Sequence, residues 1–187
     1  MKEFARNNFW EILLITIIIL LLFTPIKSHL KRIFALATEI KAQEQKTAVL
    51  QESWSTNFSG INTADISLNE IKGNVIVLQF WATWCPDCRL EMPTIQALYN
   101  RNLPNTEFVL VALEQDNKTE KLQRFIQENK LTVPIFVPQS NLTTQFEPEQ
   151  FPTTYIIDKQ GNIVIKKIGA TDWNSDKIVE LINRLSK

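Results

Sequence analysis

Val75-Ile-Val-Leu-Gln-Phe80, followed directly by Trp81-Ala-Thr-Trp-Cys-Pro-Asp-Cys88, decides how this chain folds. The first six residues form a nearly continuous apolar run rich in β-branched side chains, the pattern of a strand buried on both faces in a parallel sheet. Beyond the cysteines, Leu90, Ile95, Leu98 and Tyr99 recur at roughly helical spacing. Cys85 is therefore expected at or just before a helix N-terminus, where unpaired N–H groups and the helix dipole favour the thiolate that attacks disulfides. Cys85 and Cys88 are the only two cysteines in 187 residues. Such a pair can make a reversible disulfide but cannot supply a four-cysteine zinc site. An inert buried pair and a two-coordinate copper site are the alternatives, and the position between strand and helix weighs against both.

Working outward, residues 58–72 are expected to form an irregular strand pair ending at Gly73, and Phe108–Leu113 the next buried strand. Residues 118–130 predict a helix with Leu122, Phe125 and Ile126 on one face. Val133–Val137, Thr154–Ile157 and Asn162–Ile168 read as strands, the last two joined through Lys159-Gln-Gly161. Ile178, Leu181, Ile182 and Leu185 mark a closing helix over 175–187. A parallel strand pair, a terminal antiparallel hairpin and covering helices make an α/β fold with a mixed sheet.

The N-terminus has a different character. Ile12 to Ile26 carries no charge, and Asn7 to Ile26 carries only Glu11. About 20 residues at about 1.5 Å each reach about 30 Å, enough to span a bilayer core. Phe9 and Trp10 would sit at one interface. A cleaved signal peptide is the rival, with Ala35-Leu-Ala37 as its processing site, but Lys27, His29, Lys31 and Arg32 intervene. The expected organisation is an uncleaved anchor over 1–27, a stalk over 28–53 and one globular domain over 54–187. Lys2 and Arg6 precede the span while Lys27, Lys31 and Arg32 follow it, so the positive-inside count leans slightly towards a cytoplasmic domain.

Phe80-Trp-Ala-Thr-Trp-Cys-Pro-Asp-Cys88, Glu91-Met-Pro93 and Phe151-Pro-Thr-Thr-Tyr-Ile-Ile-Asp158 together resemble the membrane-anchored thiol–disulfide oxidoreductases of the TlpA/ResA type, in the thioredoxin superfamily. The resemblance covers about residues 54–187. It implies a thioredoxin-like fold with an N-terminal transmembrane helix, and a domain on the extracytoplasmic, periplasmic side of the cytoplasmic membrane. It implies Cys85 as the exposed nucleophile and Cys88 as the buried resolving thiol, with no cofactor beyond their redox-active disulfide. Pro152 falls where the superfamily keeps a cis-proline. An X-Pro bond adopts cis at low cost and leaves the Phe151 backbone free to pair with an extended substrate strand. Trp84 and Pro86 belong to the same substrate-facing rim. Pro93 stands where the family helix bends.

Glu91 corresponds to an acidic residue beside the dithiol. It lies three residues from Cys88, so it shares a helix face and could relay that thiol's proton, unless it is an ordinary solvated glutamate. Gln79 stands where cytosolic thioredoxins carry a buried aspartate, and an amide cannot accept a proton at neutral pH. Asp87, between the cysteines, disfavours the thiolate and points towards a reductant. The implied partners are a disulfide-containing protein, such as apocytochrome c or a copper-site protein, a membrane thiol donor and the bilayer. A copper-handling thiolate module and a disulfide-introducing oxidant are the alternatives.

Composition narrows the rest. Lys plus Arg equals Asp plus Glu at 20 each, which gives no nucleic-acid footprint. The single histidine, His29, excludes a Cys-His hydrolase and a histidine-rich metal site. The four glycines form no phosphate-cradling loop.

Overall fold

The apolar run ahead of the cysteines is the central strand of the domain. A computed structural model describes residues 13, 14, 16, 47–114 and 119–187. In it β4 (Val75–Trp81) is buried at every position. It is flanked by β5 (Thr106–Ala112) in parallel and β7 (Thr153–Ile157) in antiparallel pairing. The remaining strands are β1 (Thr47–Ala48), β2 (Asn57–Gly60), β3 (Ile66–Ser67), β6 (Ile135–Pro138) and β8 (Asn162–Ile168). The sheet runs in the order β1-β8-β7-β4-β5-β6-β2-β3. The described helices are α1 (Pro86–Tyr99), α2 (Thr119–Glu128) and α3 (Asp176–Leu185). The mixed sheet and the terminal hairpin match the expectation.

Alternation along β4 divides the core in two. Val75, Val77 and Trp81 pack with Ile95 and Leu98 of α1, Leu122 and Phe125 of α2, and Ile178 and Ile182 of α3. Ile76, Leu78 and Phe80 pack with Trp54, Phe58, Leu68, Phe146 and Tyr155. Covering helices were expected on the sheet, but all three supply only the first of these clusters. The second is closed by short 3-10 turns at Gln51–Ser55 and Leu68–Ile71 and by the loop carrying Phe146. Large aromatic side chains do there what a helix would do, since each buries enough apolar surface to seal a patch. Phe146 meets Tyr155 at 5.4 Å and Phe80 at 6.2 Å between ring centroids.

Residues 47–53, expected to belong to the stalk on polar composition, lie within the domain. Thr47 and Ala48 pair with Ile163 and Asn162 of β8. Val49 N–H donates to Gly161 O at 2.9 Å, and the Gln145 side chain bonds both Leu50 N and Ala48 O. A two-residue strand carries too little hydrophobic pattern to be seen in a sequence. Gly161 takes φ +83°, and a Cβ there would come within 2.9 Å of the Trp54 ring, so that ring docks closely on the β7–β8 turn. The expected anchor over 1–27 and the stalk up to residue 46 fall outside the described residues, apart from Leu13, Leu14 and Thr16. Among the described residues, no helix is long and apolar enough to cross a membrane.

Phe146→Ala should therefore cost about 3–5 kcal/mol, the range for deleting a buried aromatic side chain. Urea denaturation of the disulfide form measures it; a loss below about 1 kcal/mol would show that the loop does not seal this face.

Candidate active site

The register between β4 and β7 assembles the site. Phe80 pairs with Thr153, so the residues leaving β4 and those entering β7 emerge at the same end of the sheet. The first group carries the cysteines, the second Phe151 and Pro152, whose peptide bond is cis. Trp84 lies edge-on to Phe151 at 5.5 Å. It is 42 % exposed, Phe151 is half-buried and Pro152 is buried. Trp81, by contrast, is fully buried against Phe125.

Cys85 is the N-cap of α1, and Pro86 occupies the first turn, where its missing N–H costs nothing. Cys85 and Cys88 are disulfide-bonded, with Cα atoms 5.3 Å apart. Cys88 N–H donates to Cys85 Sγ at 3.1 Å. That contact places the sulfur over the helix N-terminus, where a thiolate gains most from the unpaired N–H groups. Cys88 is fully buried, as the resemblance implies. Cys85, implied to be exposed, shows only 4 % of its surface, because capping folds its side chain over the first turn. Pro86 and Asp87 are exposed beside it, so the Asp87 charge is screened by solvent.

Glu91 is not a solvated helix residue. It is fully buried, and three donors converge on it. Gln79 Nε2 donates to Oε1. Thr171 N–H and Trp173 Nε1–H donate to Oε2 at 3.1 and 2.9 Å. Thr94 ties the 171–173 segment to α1: its Oγ1 accepts from Trp173 N–H at 3.2 Å and donates to Glu91 O at 2.8 Å. Burial disfavours the ionised form by more than the Trp173 and Thr171 donors favour it, and the carboxyl is pushed from 4.5 up to about 8. Asp87 raises it further, while Lys167 opposes the shift. Gln79 Oε1, also buried, has no partner among the described residues. An acceptor left in that state costs about 1–3 kcal/mol.

Nothing in the sequence pattern singles out Thr171, Trp173, Glu114 or Ile168. The first two lie 80 and 82 residues from Glu91, joined to it only through the fold. Glu114, just past β5, accepts from Thr83 N at 2.6 Å and from Thr83 Oγ1 at 2.9 Å. That two-point contact fixes the loop two residues before Cys85, with Lys121 4.0 Å from the same carboxylate. Ile168, opposite Thr153 on β8, is 42 % exposed at the same end of the sheet. A buried dithiol bridge, a carboxyl able to hold or release a proton near neutral pH, and an apolar rim suit thiol–disulfide exchange with another polypeptide.

Comparison with known proteins agrees. Residues 41–166 match the AhpC/TSA family. The thioredoxin-like protein YneN of Bacillus subtilis is 37 % identical over 98 residues, 52 % of this chain and 58 % of YneN. The thiol-disulfide oxidoreductase ResA of Bacillus cereus is 27 % identical over 137 residues, 73 % of this chain and 79 % of ResA. The crystal structure of StoA from Bacillus subtilis superposes with a TM-score of 0.57 at 28 % identity, covering 70 % of this chain and 95 % of that one.

The raised Glu91 value sets a pH dependence. Between about 4.5 and about 8 the folded state holds a proton that the unfolded state has lost. Stability supplied by this group is thus complete below that window and falls as pH rises through it, by about 1.4 kcal/mol per pH unit. Denaturation of the disulfide form at several pH values should show this decline, and Glu91→Gln should remove it. Parallel slopes for the two proteins would rule out a buried, protonated Glu91.

Proposed function

The chain belongs to the AhpC/TSA family, has a thioredoxin-like fold and is a thiol–disulfide oxidoreductase; on that footing we propose that it reduces disulfides in proteins outside the cytoplasm. The observation that carries this reading is the buried carboxyl of Glu91, raised to about 8 and so a base strong enough, when ionised, to take a thiol proton, three residues along α1 from the buried Cys88. Cys85 thiolate attacks one sulfur of a substrate disulfide, forming a mixed disulfide and releasing the first substrate sulfur. Cys88 passes its proton to the Glu91 carboxylate, and the resulting thiolate attacks Cys85 Sγ. This closes the Cys85–Cys88 bridge and releases the second substrate sulfur. Two electrons pass to the substrate, and a membrane-bound dithiol donor returns two to the enzyme.

The rim supports an extended polypeptide substrate. Among the described residues, no hydrogen bond engages the backbone N–H or C=O of Phe151, whereas Pro152 O already accepts from Gly169 N–H at 2.8 Å. An added strand would therefore pair at Phe151, with Trp84, Pro86 and Ile168 contacting its side chains. Apocytochrome c and oxidised copper-site proteins are the substrates we favour. Membrane attachment through the apolar 12–26 segment, with the domain on the outer side, completes the proposal.

Cys88→Ser, which cannot resolve the intermediate, should accumulate covalent adducts between Cys85 and its substrates in cells. Non-reducing gels followed by peptide identification detect them; no adduct with Cys85 intact would count against turnover chemistry. The Cys85–Cys88 reduction potential, read from Trp84 fluorescence in thiol/disulfide buffers, should fall at or below about −220 mV. A value near about −120 mV would make the protein an oxidant instead.

A further inference from the structure

We propose that Gln79 is a positioning residue for proton transfer, its side-chain amide turning over each time Glu91 gains or loses a proton. The proposal rests on the reading that Glu91 exchanges a proton with Cys88. It starts from two adjoining facts: Gln79 presents its NH2 group to Glu91 Oε1, and its own Oε1 is buried with no partner among the described residues. Neither end of this amide can reach bulk solvent, since Gln79 is fully buried in the middle of β4.

The two carboxyl oxygens of Glu91 are not equivalent. Oε2 already accepts from Thr171 N–H and Trp173 Nε1–H, both of which are donors only. A proton placed on Oε2 would face two other protons. It therefore sits on Oε1, the oxygen that faces Gln79. There it needs an acceptor, and an NH2 group is none. The amide supplies one by rotating about its last torsion, which has broad, roughly two-fold preferences and exchanges two ends of nearly equal size. After rotation Gln79 Oε1 accepts the Glu91 O–H and the NH2 group takes the place the carbonyl held, so one end of the amide is bonded to Glu91 in each state and the turn costs no net hydrogen bond. Ionised Glu91 restores the NH2-facing arrangement. The bond to Glu91 is thus kept in both charge states, so a proton taken up or released at Oε1 leaves no bare charge and no stranded O–H. An aspartate at position 79 would add a second negative charge to this space, and a hydrocarbon would serve neither state.

The charged groups that act on Glu91 are Asp87, on α1 itself, and Lys167, on β8. In the disulfide form neither cysteine titrates, so that form isolates the Glu91 equilibrium. The full chain, labelled with 15N at glutamine and held in detergent micelles, is titrated by NMR between pH 5 and 10. Loss of one signal pair in Gln79→Met identifies the Gln79 side-chain protons. At high pH one of these protons bonds the carboxylate and stands well downfield of its geminal neighbour. As pH falls through the Glu91 transition, followed by the Glu91 carboxyl carbon, the two should converge. In Glu91→Gln their pH dependence should vanish. A geminal separation that stays constant while Glu91 titrates, or that keeps its pH dependence in Glu91→Gln, would overturn the inference. Either result leaves adduct formation by Cys88→Ser untouched, so failure here is distinguishable from failure of the reductase reading.

Discussion

The antiparallel register of β4 against β7 is the constraint on which the site depends. Phe80 opposite Thr153 brings two segments separated by more than sixty residues of sequence to one edge of the sheet. The pairing also fixes which side chains of β4 face the helices. A slip of one residue would exchange the two faces, sending Ile76, Leu78 and Phe80 towards α1 and turning Gln79 away from Glu91. Full burial of β4 makes such a slip costly, because each face meets a differently shaped set of neighbours. Chemistry and packing are therefore specified by the same ladder.

A second constraint is electrostatic. A buried carboxyl is tolerated only where its polar atoms are paired, and the molecule gathers the partners of Glu91 from two elements. They come from the central strand through Gln79, and from the loop after β8 through Thr171 and Trp173. Thr94 then locks that loop against the helix bearing both cysteines and the acid. Asp87, one turn earlier on the same helix, is solvated and needs no such shell. Two acidic residues four positions apart thus serve different ends because their surroundings differ, the general way in which a protein divides labour among like groups.

Much of this was legible in the sequence, for identifiable reasons. Val75–Trp81 announces itself because a strand buried on both faces has no polar interruption except Gln79. The helix after Cys85 shows through its periodic apolar residues. The last helix and the β7–β8 hairpin carry equally local signals. Signals that need the third dimension were silent. Trp173 looks like any core tryptophan until it is seen donating to Glu91, and Glu114 looks like a loop acid until Thr83 sits against it. The loop bearing Phe146 has no period to betray that it seals one face. Glu91 lies between these cases: its spacing from Cys88 is readable, while the donors that bury it come from distant segments.

The place where the chain joins the sheet has its own consequence. β1 pairs with β8 at Ile163 and Asn162, beside the β7–β8 turn, and Ile76 of β4 pairs with Ile157 at that same end. The disulfide follows the other end of β4, a strand length of about 20 Å away. Thr47, where the described domain begins, therefore lies at the end of the sheet away from the disulfide. A bead or a sensor surface coupled directly at Thr47 is held beside the turn, with the dithiol at the opposite end of the sheet.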